Sequence, residues 1–231
     1  MPRLDKVLAN LGYATRSSAR ALVASGRVSV DGVPAVQVAM AVRDPAAVTI
    51  DGEPLDHPHG ILVAVHKPVG YVCSHDAGEG LRVYDLLPER WLERNPAVMS
   101  VGRLDKDTSG LILVTDDMVL VHRLTSPKRH VEKAYVATLT EAPPHPDDIV
   151  AEFASGELLL DADDRPCLPA ALRWIDPETA EVVLTEGRYH QVRRMFAACG
   201  LHVAALHRAR FGPYAVTDVA PGEWIDVAPP T

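Results

Sequence analysis

The sequence predicts an α+β fold in two units, a small unit of helices and hairpins followed by a larger unit with a mostly antiparallel mixed sheet. Apolar residues near the start follow the i, i+3, i+4, i+7 spacing of an amphipathic helix. Asp-Gly pairs at 31–32 and 51–52 follow short strand-like runs, which is typical of β-hairpins. Beyond residue 60, short β-branched runs are mixed with short amphipathic segments. These three patterns together favour strands paired mainly with their sequence neighbours.

The chain begins with a predicted helix pair. The segment RLDKVLANLGY (3–13) predicts an amphipathic helix that ends at Gly12. Thr15 or Ser17 can cap a second helix, and Gly26 ends it. Both helices are short, so they need packing partners to be stable.

Hairpins complete the first unit. The segment RVSVDGVPAV (27–36) predicts two strands around an Asp-Gly turn. A second such turn, at 51–52, closes the unit, and the Pro- and Gly-containing segment 51–60 is a plausible linker. We therefore place a domain boundary between residues 1–58 and 59–231.

The second unit mixes strands and helices. Strands are predicted at 61–66, 98–101, 111–115, 133–139, 170–175 and 180–185. Helices are predicted at 118–125, 145–156 and 189–200. A polar loop, GRLDKD at 102–107, precedes the third of these strands and places Asp105 between two basic residues.

Composition excludes several classes of protein. The chain has 231 residues, 47% of them hydrophobic and 23% charged, as in ordinary globular proteins. No run of about 18 apolar residues predicts a membrane span, and the N-terminus does not look like a signal peptide. The three cysteines are far apart in sequence, which argues against disulfides and against a zinc site. We expect a cytoplasmic protein.

The net charge of −8 is unevenly distributed. Residues 141–181 contain eleven acidic side chains and two arginines, whereas 186–212 contain five arginines and one glutamate. The flanking segment 118–133 is also basic. A polyanionic partner such as RNA is therefore compatible with the charge, and we expect the acidic segment to lie away from its binding cleft.

The first unit resembles an S4 RNA-binding domain. The resemblance rests on RLDKVL at 3–8 and SSARALVASGRVSVDG at 17–32. It implies phosphate contacts from basic side chains, which give affinity and placement but no base choice. The matching residues are Arg3, Lys6, Arg16, Arg20 and Arg27.

The second unit resembles the pseudouridine synthases, specifically the ribosomal small-subunit (RsuA) type. The resemblance rests on four segments in the family's order: KPVGYVCSHD at 67–76, GRLDKDTSGLILVTDD at 102–117, SPKRHVEKAYVATL at 126–139 and EGRYHQVRRMFAACG at 186–200. One departure is AGEGLRVYDLLP at 77–88, which lacks a Pro-Thr pair that close relatives tend to carry. This departure concerns a substrate-side loop and not the chemistry.

The resemblance assigns three catalytic residues. Asp105 matches the catalytic aspartate, which can attack C1′, remove the C2′ proton or stabilise charge at C1′ while uracil is detached and rejoined through C5. Tyr135 matches a tyrosine that stacks on the flipped uracil. Arg193 matches the basic residue that pairs with the aspartate. If the register were wrong, Asp107 would replace Asp105, and Arg194 is the alternative to Arg193.

Further RNA contacts are predicted around these residues. Arg103 is expected to contact the RNA backbone or to fill the space left by the target base. Weaker candidates are His190, Gln191, Arg194 and Arg208.

The resemblance also implies a target, uridine 516 of 16S rRNA in a partly assembled small subunit. No metal or other cofactor is implied, and the expected state is a monomer. One alternative is a non-catalytic RNA-binding protein on a degenerate synthase scaffold. The other keeps the chemistry but acts on large-subunit rRNA or tRNA.

Overall fold

The protein folds as two units that touch each other. The computed structural model describes residues 1–230, and Thr231, the last residue of the predicted second domain, lies outside the described residues. The α+β class is confirmed, with five α-helices and two sheets in the described part. In that part, no helix is long and apolar enough to cross a membrane.

The first unit is a helix pair packed on a four-stranded sheet. Its elements are α1 (Leu4–Asn10), α2 (Ser18–Ala24), β1 (Val28–Val30), β2 (Val33–Pro34), β3 (Val48–Ile50) and β4 (Glu53–Pro54). The strand order is β2-β1-β3-β4, with all pairs antiparallel. The periodic apolar residues of α1 are buried against this sheet, as the sequence predicted.

The second unit is built on a large mixed sheet. Its strands are β5 (Leu62–Lys67), β6 (Met99–Ser100), β7 (Thr108–Thr115), β8 (Lys133–Leu139), β9 (Ala171–Trp174), β10 (Thr179–Leu184), β11 (Val203–Phe211), β12 (Tyr214–Ala215) and β13 (Trp224–Asp226). The main order is β13-β5-β7-β11-β8-β10-β9, with β6 beside β7 and β12 beside β11. Only the pair β7–β11 is parallel among the described strands, so the predicted antiparallel character is confirmed.

Helices cover both faces of this sheet. They are α3 (Met118–Thr125), α4 (Pro146–Ser155) and α5 (Gln191–Ala198). Leu120 and Leu124 of α3 pack on one face, with Leu111 and Leu113 of β7. On the other face, α4 and α5 share a core with β8 to β11. The catalytic motifs lie on this second face.

The sequence did not predict three strands, and it misjudged the linker. β11, β12 and β13 were absent from the prediction, although β11 lies at the centre of the sheet. Residues 51–54 belong to a hairpin instead of a linker. The remaining connection is also structured, because Asp56 accepts hydrogen bonds from Trp91 Nε1 and Arg90 Nη2, both at 2.7 Å.

The junction between the units contains a cavity of about 760 Å³. Its polar lining includes a buried ion pair, in which Arg94 Nε donates to Asp116 Oδ2 at 3.0 Å. The Arg90 guanidinium also lies 4.2 Å from the centre of the Tyr13 ring. Asp105, Tyr135 and Arg193 do not line this cavity.

Candidate active site

Asp105 lies in the turn that leads into β7. Its backbone carbonyl accepts a hydrogen bond from Thr108 N at 3.1 Å, which closes the turn at the first residue of the strand. The adjacent Leu104 is buried, and its N–H donates to Cys73 Sγ at 3.4 Å. The Asp105 side chain is 31% exposed, and Oδ1 lies 3.3 Å from His190 Nε2. The carboxylate is therefore fixed at its base and open at its tip.

A buried lysine supports this turn. Lys67, at the end of β5, is fully buried, and its Nζ donates to the carbonyls of Pro68 and Tyr71 at 3.0 and 2.7 Å. In the same segment, Gly70 N donates to Lys106 O at 2.7 Å. Burial lowers the pKa of Lys67, while Cys73 and the carboxylates of Asp105 and Asp107 act in the opposite direction. Lys67 thus holds the turn at 68–71 against the aspartate loop, a role that the sequence analysis missed.

At the centre of the sheet, a glycine allows two strands to approach closely. Gly110 of β7 pairs with Lys67 on one side and with Arg208 of β11 on the other, and Arg208 pairs with Tyr135 of β8. A Cβ at Gly110 would lie 2.3 Å from the carbonyl oxygen of Arg208, so no larger residue fits. Tyr135 is half-buried and contacts the apolar clusters on both sides of this row. Two strand spacings, about 10 Å, separate it from Gly110.

Arg193 does not make the predicted contact with Asp105. Its Nη2 pairs with Asp107 Oδ2 at 2.9 Å, and its Nη1 donates to Val203 O at 2.8 Å. Among residues 1–230, the side chain that contacts the Asp105 carboxylate is His190 instead. The expected pairing is wrong for this state because the guanidinium reaches the next carboxylate of the same loop. Arg193 Nε is buried without a partner.

The start of α5 is tied to the acidic segment. Arg188 pairs with Asp163 at 3.0 Å and with Glu186 at 3.2 Å, and Arg194 pairs with Asp163 at 2.7 Å. Hydrogen bonds from Arg194 and Arg188 lower the pKa of Asp163. Asp163 belongs to the acidic segment 141–181 and anchors the start of α5. That this segment lies away from the cleft stays a prediction.

Three predicted RNA contacts do not fit the structure. The Arg208 side chain is buried, with Nε donating to Leu111 O at 2.8 Å. Gln191 is also buried, and its amide accepts from Arg188 N and donates to Glu186, which fixes the start of α5. Arg194 is engaged by Asp163 and by backbone carbonyls. Arg208 and Gln191 thus stabilise the site from within, whereas Arg194 is held by these contacts while it lines the small pocket beside His190 and Arg193.

The remaining predicted RNA contacts lie on the surface. Arg103 is exposed beside the catalytic loop. The five basic residues that were predicted to contact RNA from the first unit are also exposed: Arg3, Lys6, Arg16, Arg20 and Arg27. Two of them are paired, Arg3 with Asp5 and Arg27 with Asp51, at 2.7 and 2.6 Å. Exposure leaves all of them accessible to phosphates.

The described residues, 1–230, contain no group of three or more His, Cys, Asp or Glu side chains arranged to hold a metal ion. A smaller pocket of about 280 Å³ adjoins α5 and includes His190 and Arg193 in its lining. Asp105 lies outside it. The carboxylate is thus presented at an open surface, as suits a macromolecular ligand that closes the site itself.

Comparison with known proteins agrees with this arrangement. Residues 61–198 match the family described as RNA pseudouridylate synthase, and residues 2–44 match the S4 domain. The chain is 41% identical to ribosomal small subunit pseudouridine synthase A of Escherichia coli strain K12, covering 96% of this chain and 94% of the relative. The Yersinia pestis protein of the same name is 40% identical, covering 96% and 93%.

A solved structure agrees over the whole chain. The crystal structure of a pseudouridylate synthase has a TM-score of 0.68 and 34% identity, covering 99% of this chain and 96% of its own. Both units are therefore shared with a known enzyme. The chain belongs to the RNA pseudouridylate synthase family and, within it, to the isomerases of the RsuA type that carry an N-terminal S4 domain.

Proposed function

We propose that the protein converts one uridine of small-subunit ribosomal RNA, uridine 516 of 16S rRNA, to pseudouridine. The relatives named above act, by their names, on the small ribosomal subunit. The reaction breaks the bond from C1′ to N1 of uracil, forms a bond from C1′ to C5, moves a proton onto N1 and releases the proton from C5. Reactant and product are isomers, so the reaction consumes no second substrate.

One observation carries the proposal. Asp105 is a partly exposed carboxylate that is fixed at its base by the turn into β7, with His190 Nε2 3.3 Å from its Oδ1. A carboxylate there can act on C1′ as a nucleophile, act on the C2′ proton as a base, or stabilise positive charge at C1′. All three roles require the ionised carboxylate.

Tyr135 and Arg193 complete the proposed catalytic set. Tyr135 offers a flat face for the flipped uracil, on the same sheet row as Gly110. Arg193 takes Asp105 as its partner once RNA displaces Asp107. The guanidinium keeps its charge when water is excluded, and its fork can bind both carboxylate oxygens.

The first unit supplies affinity through its exposed basic residues and places the RNA without reading its bases. We propose that the substrate is a partly assembled small subunit in the cytoplasm, and that the enzyme acts as a monomer without a cofactor. Residues 1–58 and 59–231 are the proposed binding and catalytic domains.

The test is pseudouridine mapping of ribosomal RNA and tRNA from cells with and without the gene. We expect a single modified uridine in 16S rRNA to disappear and to return with the parent protein, but not with Asp105→Asn. Loss of a site in 23S rRNA or tRNA, with 16S rRNA unchanged, would contradict the target. Full restoration by Asp105→Asn would contradict the catalytic assignment and favour a binding role.

A further inference from the structure

Tyr189 is unusual among the aromatic residues. The chain has twelve Trp, Tyr and Phe residues, all within the described part, and Tyr189 is the only one that is exposed, at 76%. The other eleven are buried or half-buried. An exposed tyrosine ring contributes little to folding, and tyrosine is enriched at interfaces because it has an apolar ring and a polar hydroxyl.

The ring of Tyr189 is part of a fixed stack next to the catalytic carboxylate. It lies parallel to the His190 ring, with centroids 3.8 Å apart and an angle of 17° between the planes. His190 in turn reaches Asp105 Oδ1 at 3.3 Å. One face of the tyrosine is therefore covered by histidine, and the high exposure of the residue leaves the other face open to solvent.

The backbone that carries this stack is held in place. Arg194 Nη1 donates to Tyr189 O at 3.3 Å, and Gln191 Oε1 accepts from Arg188 N at 2.9 Å. His190 has a positive φ of 49°, a conformation that needs such support. The stack is thus a preorganised surface, which lowers the entropic cost of binding a ligand on it.

We propose that Tyr189 and His190 form a stacking platform for a nucleobase next to the target uridine. The proposal rests on the assignment of Asp105 as the catalytic residue, because the stack ends at that carboxylate. Nucleobases present flat π faces, and single-stranded RNA is bound mainly by stacking such faces on aromatic side chains. The target uracil itself goes to Tyr135 in the interior, since the open platform cannot enclose a base.

The experiment uses the full chain with Asp105→Asn, so that RNA is bound and not converted, combined with Tyr189→Phe or Tyr189→Leu. The probe is a 16S RNA fragment that carries the target uridine, with 2-aminopurine at the nucleotide on its 5′ or 3′ side. At one of these positions, we expect the 2-aminopurine fluorescence to be quenched by the protein with Tyr189 and by the Tyr189→Phe variant, and not by the Tyr189→Leu variant. Tyr189→Leu should weaken binding about fivefold to a hundredfold, and Tyr189→Phe about twofold or less.

A matched set of RNAs separates stacking from a structural role. Replacing the quenched nucleotide by an abasic site should remove the difference between Tyr189 and Leu, because no base is left to stack. A difference that persists with abasic sites on both sides would overturn the proposal, as would equal binding by the Leu variant. Turnover by the parent protein is measured separately, so failure of the proposed function shows as absent product, whatever the platform does.

Discussion

Asp105 and Asp107 lie in one loop, and their opposite roles can be tested by removing one charge at a time. Asp107→Asn releases Arg193 from its present partner at 2.9 Å. At this distance two unit charges attract by about 6 kcal/mol at an effective dielectric of about 20. However, the Asp107 side chain is 61% exposed, and exposed pairs contribute at most about 1 kcal/mol after screening and ordering costs.

The expected effect on catalysis is therefore small for Asp107 and large for Asp105. One kcal/mol corresponds to about fivefold, so Asp107→Asn should change the single-turnover rate by no more than that. Freeing Arg193 for Asp105 should raise the rate if it changes at all. Asp105→Asn removes the reacting carboxylate and should cost at least about a hundredfold, the lower limit for a positioned acid or base.

The assay is release of tritium from RNA labelled at C5 of uridine, at saturating RNA with enzyme in excess. Thermal unfolding of both variants serves as the control, since two exposed or half-exposed loop carboxylates should contribute little to stability. If Asp107→Asn lost activity as completely as Asp105→Asn, the assignment of one catalytic carboxylate would be wrong. If only Asp107→Asn lost activity, the two roles would have to be exchanged.

Three further predictions concern stability and binding. Gly110→Ala should lower the free energy of unfolding by more than about 3 kcal/mol, because its Cβ would lie 2.3 Å from a backbone oxygen. The control is Gly52→Ala, at φ 88° with open space, which should lower it by about 1–2 kcal/mol. Chemical denaturation measures both. Replacing Arg16 and Arg20 by Gln should weaken RNA binding. It should also reduce the slope of log affinity against log salt concentration by about 1 for each phosphate that is no longer neutralised. An unchanged slope would show that these two arginines lie outside the interface. The arginine partners of Asp163 lower the pKa of its carboxyl in the folded state. Asp163 therefore stabilises the protein at pH above its unfolded pKa of about 3.9, and this stabilisation is lost as the pH falls through its lower folded pKa. The parent should thus be more stable than Asp163→Asn at pH 7, and the two should converge in acid; a difference that grew in acid would contradict this.

Local patterns predicted most elements, and tertiary contacts decided the rest. The α3 helix runs over 118–125 as predicted, because Asp117 caps it by accepting from Val119 N and Leu120 N. β11 was missed because its sequence, VAALHRARF, mixes basic residues into a buried central strand. This segment is stabilised as a strand by pairing with β7 and β8, which come from distant parts of the chain.

The candidate site shows the same division. Motif resemblance indicated Asp105 and Arg193, but the choice of ion-pair partner depends on loop geometry that no spacing encodes. The position of Lys67 in the strand pattern could have identified it as a site residue. It continues the inward alternation of Val63 and Val65 in β5, so it points into the core next to the aspartate loop. A charged residue at such a position requires a partner, and that requirement marks it as part of the site.

The geometry of the two charged pairs explains how RNA can activate the site without refolding it. His190 and Arg193 come from one end of α5, about one helical turn apart, and they face two carboxylates from one loop. Because Gln191 and Arg188 fix that end of the helix, an exchange of partners needs only side-chain rotation. An RNA phosphate or base that engages His190 would leave Asp105 without this contact. Arg193 could then move from the more exposed Asp107 to the less exposed Asp105, where exclusion of water strengthens the attraction. If this exchange occurs, binding and formation of the Asp105–Arg193 pair are coupled, and we expect the pair only in the complex with RNA.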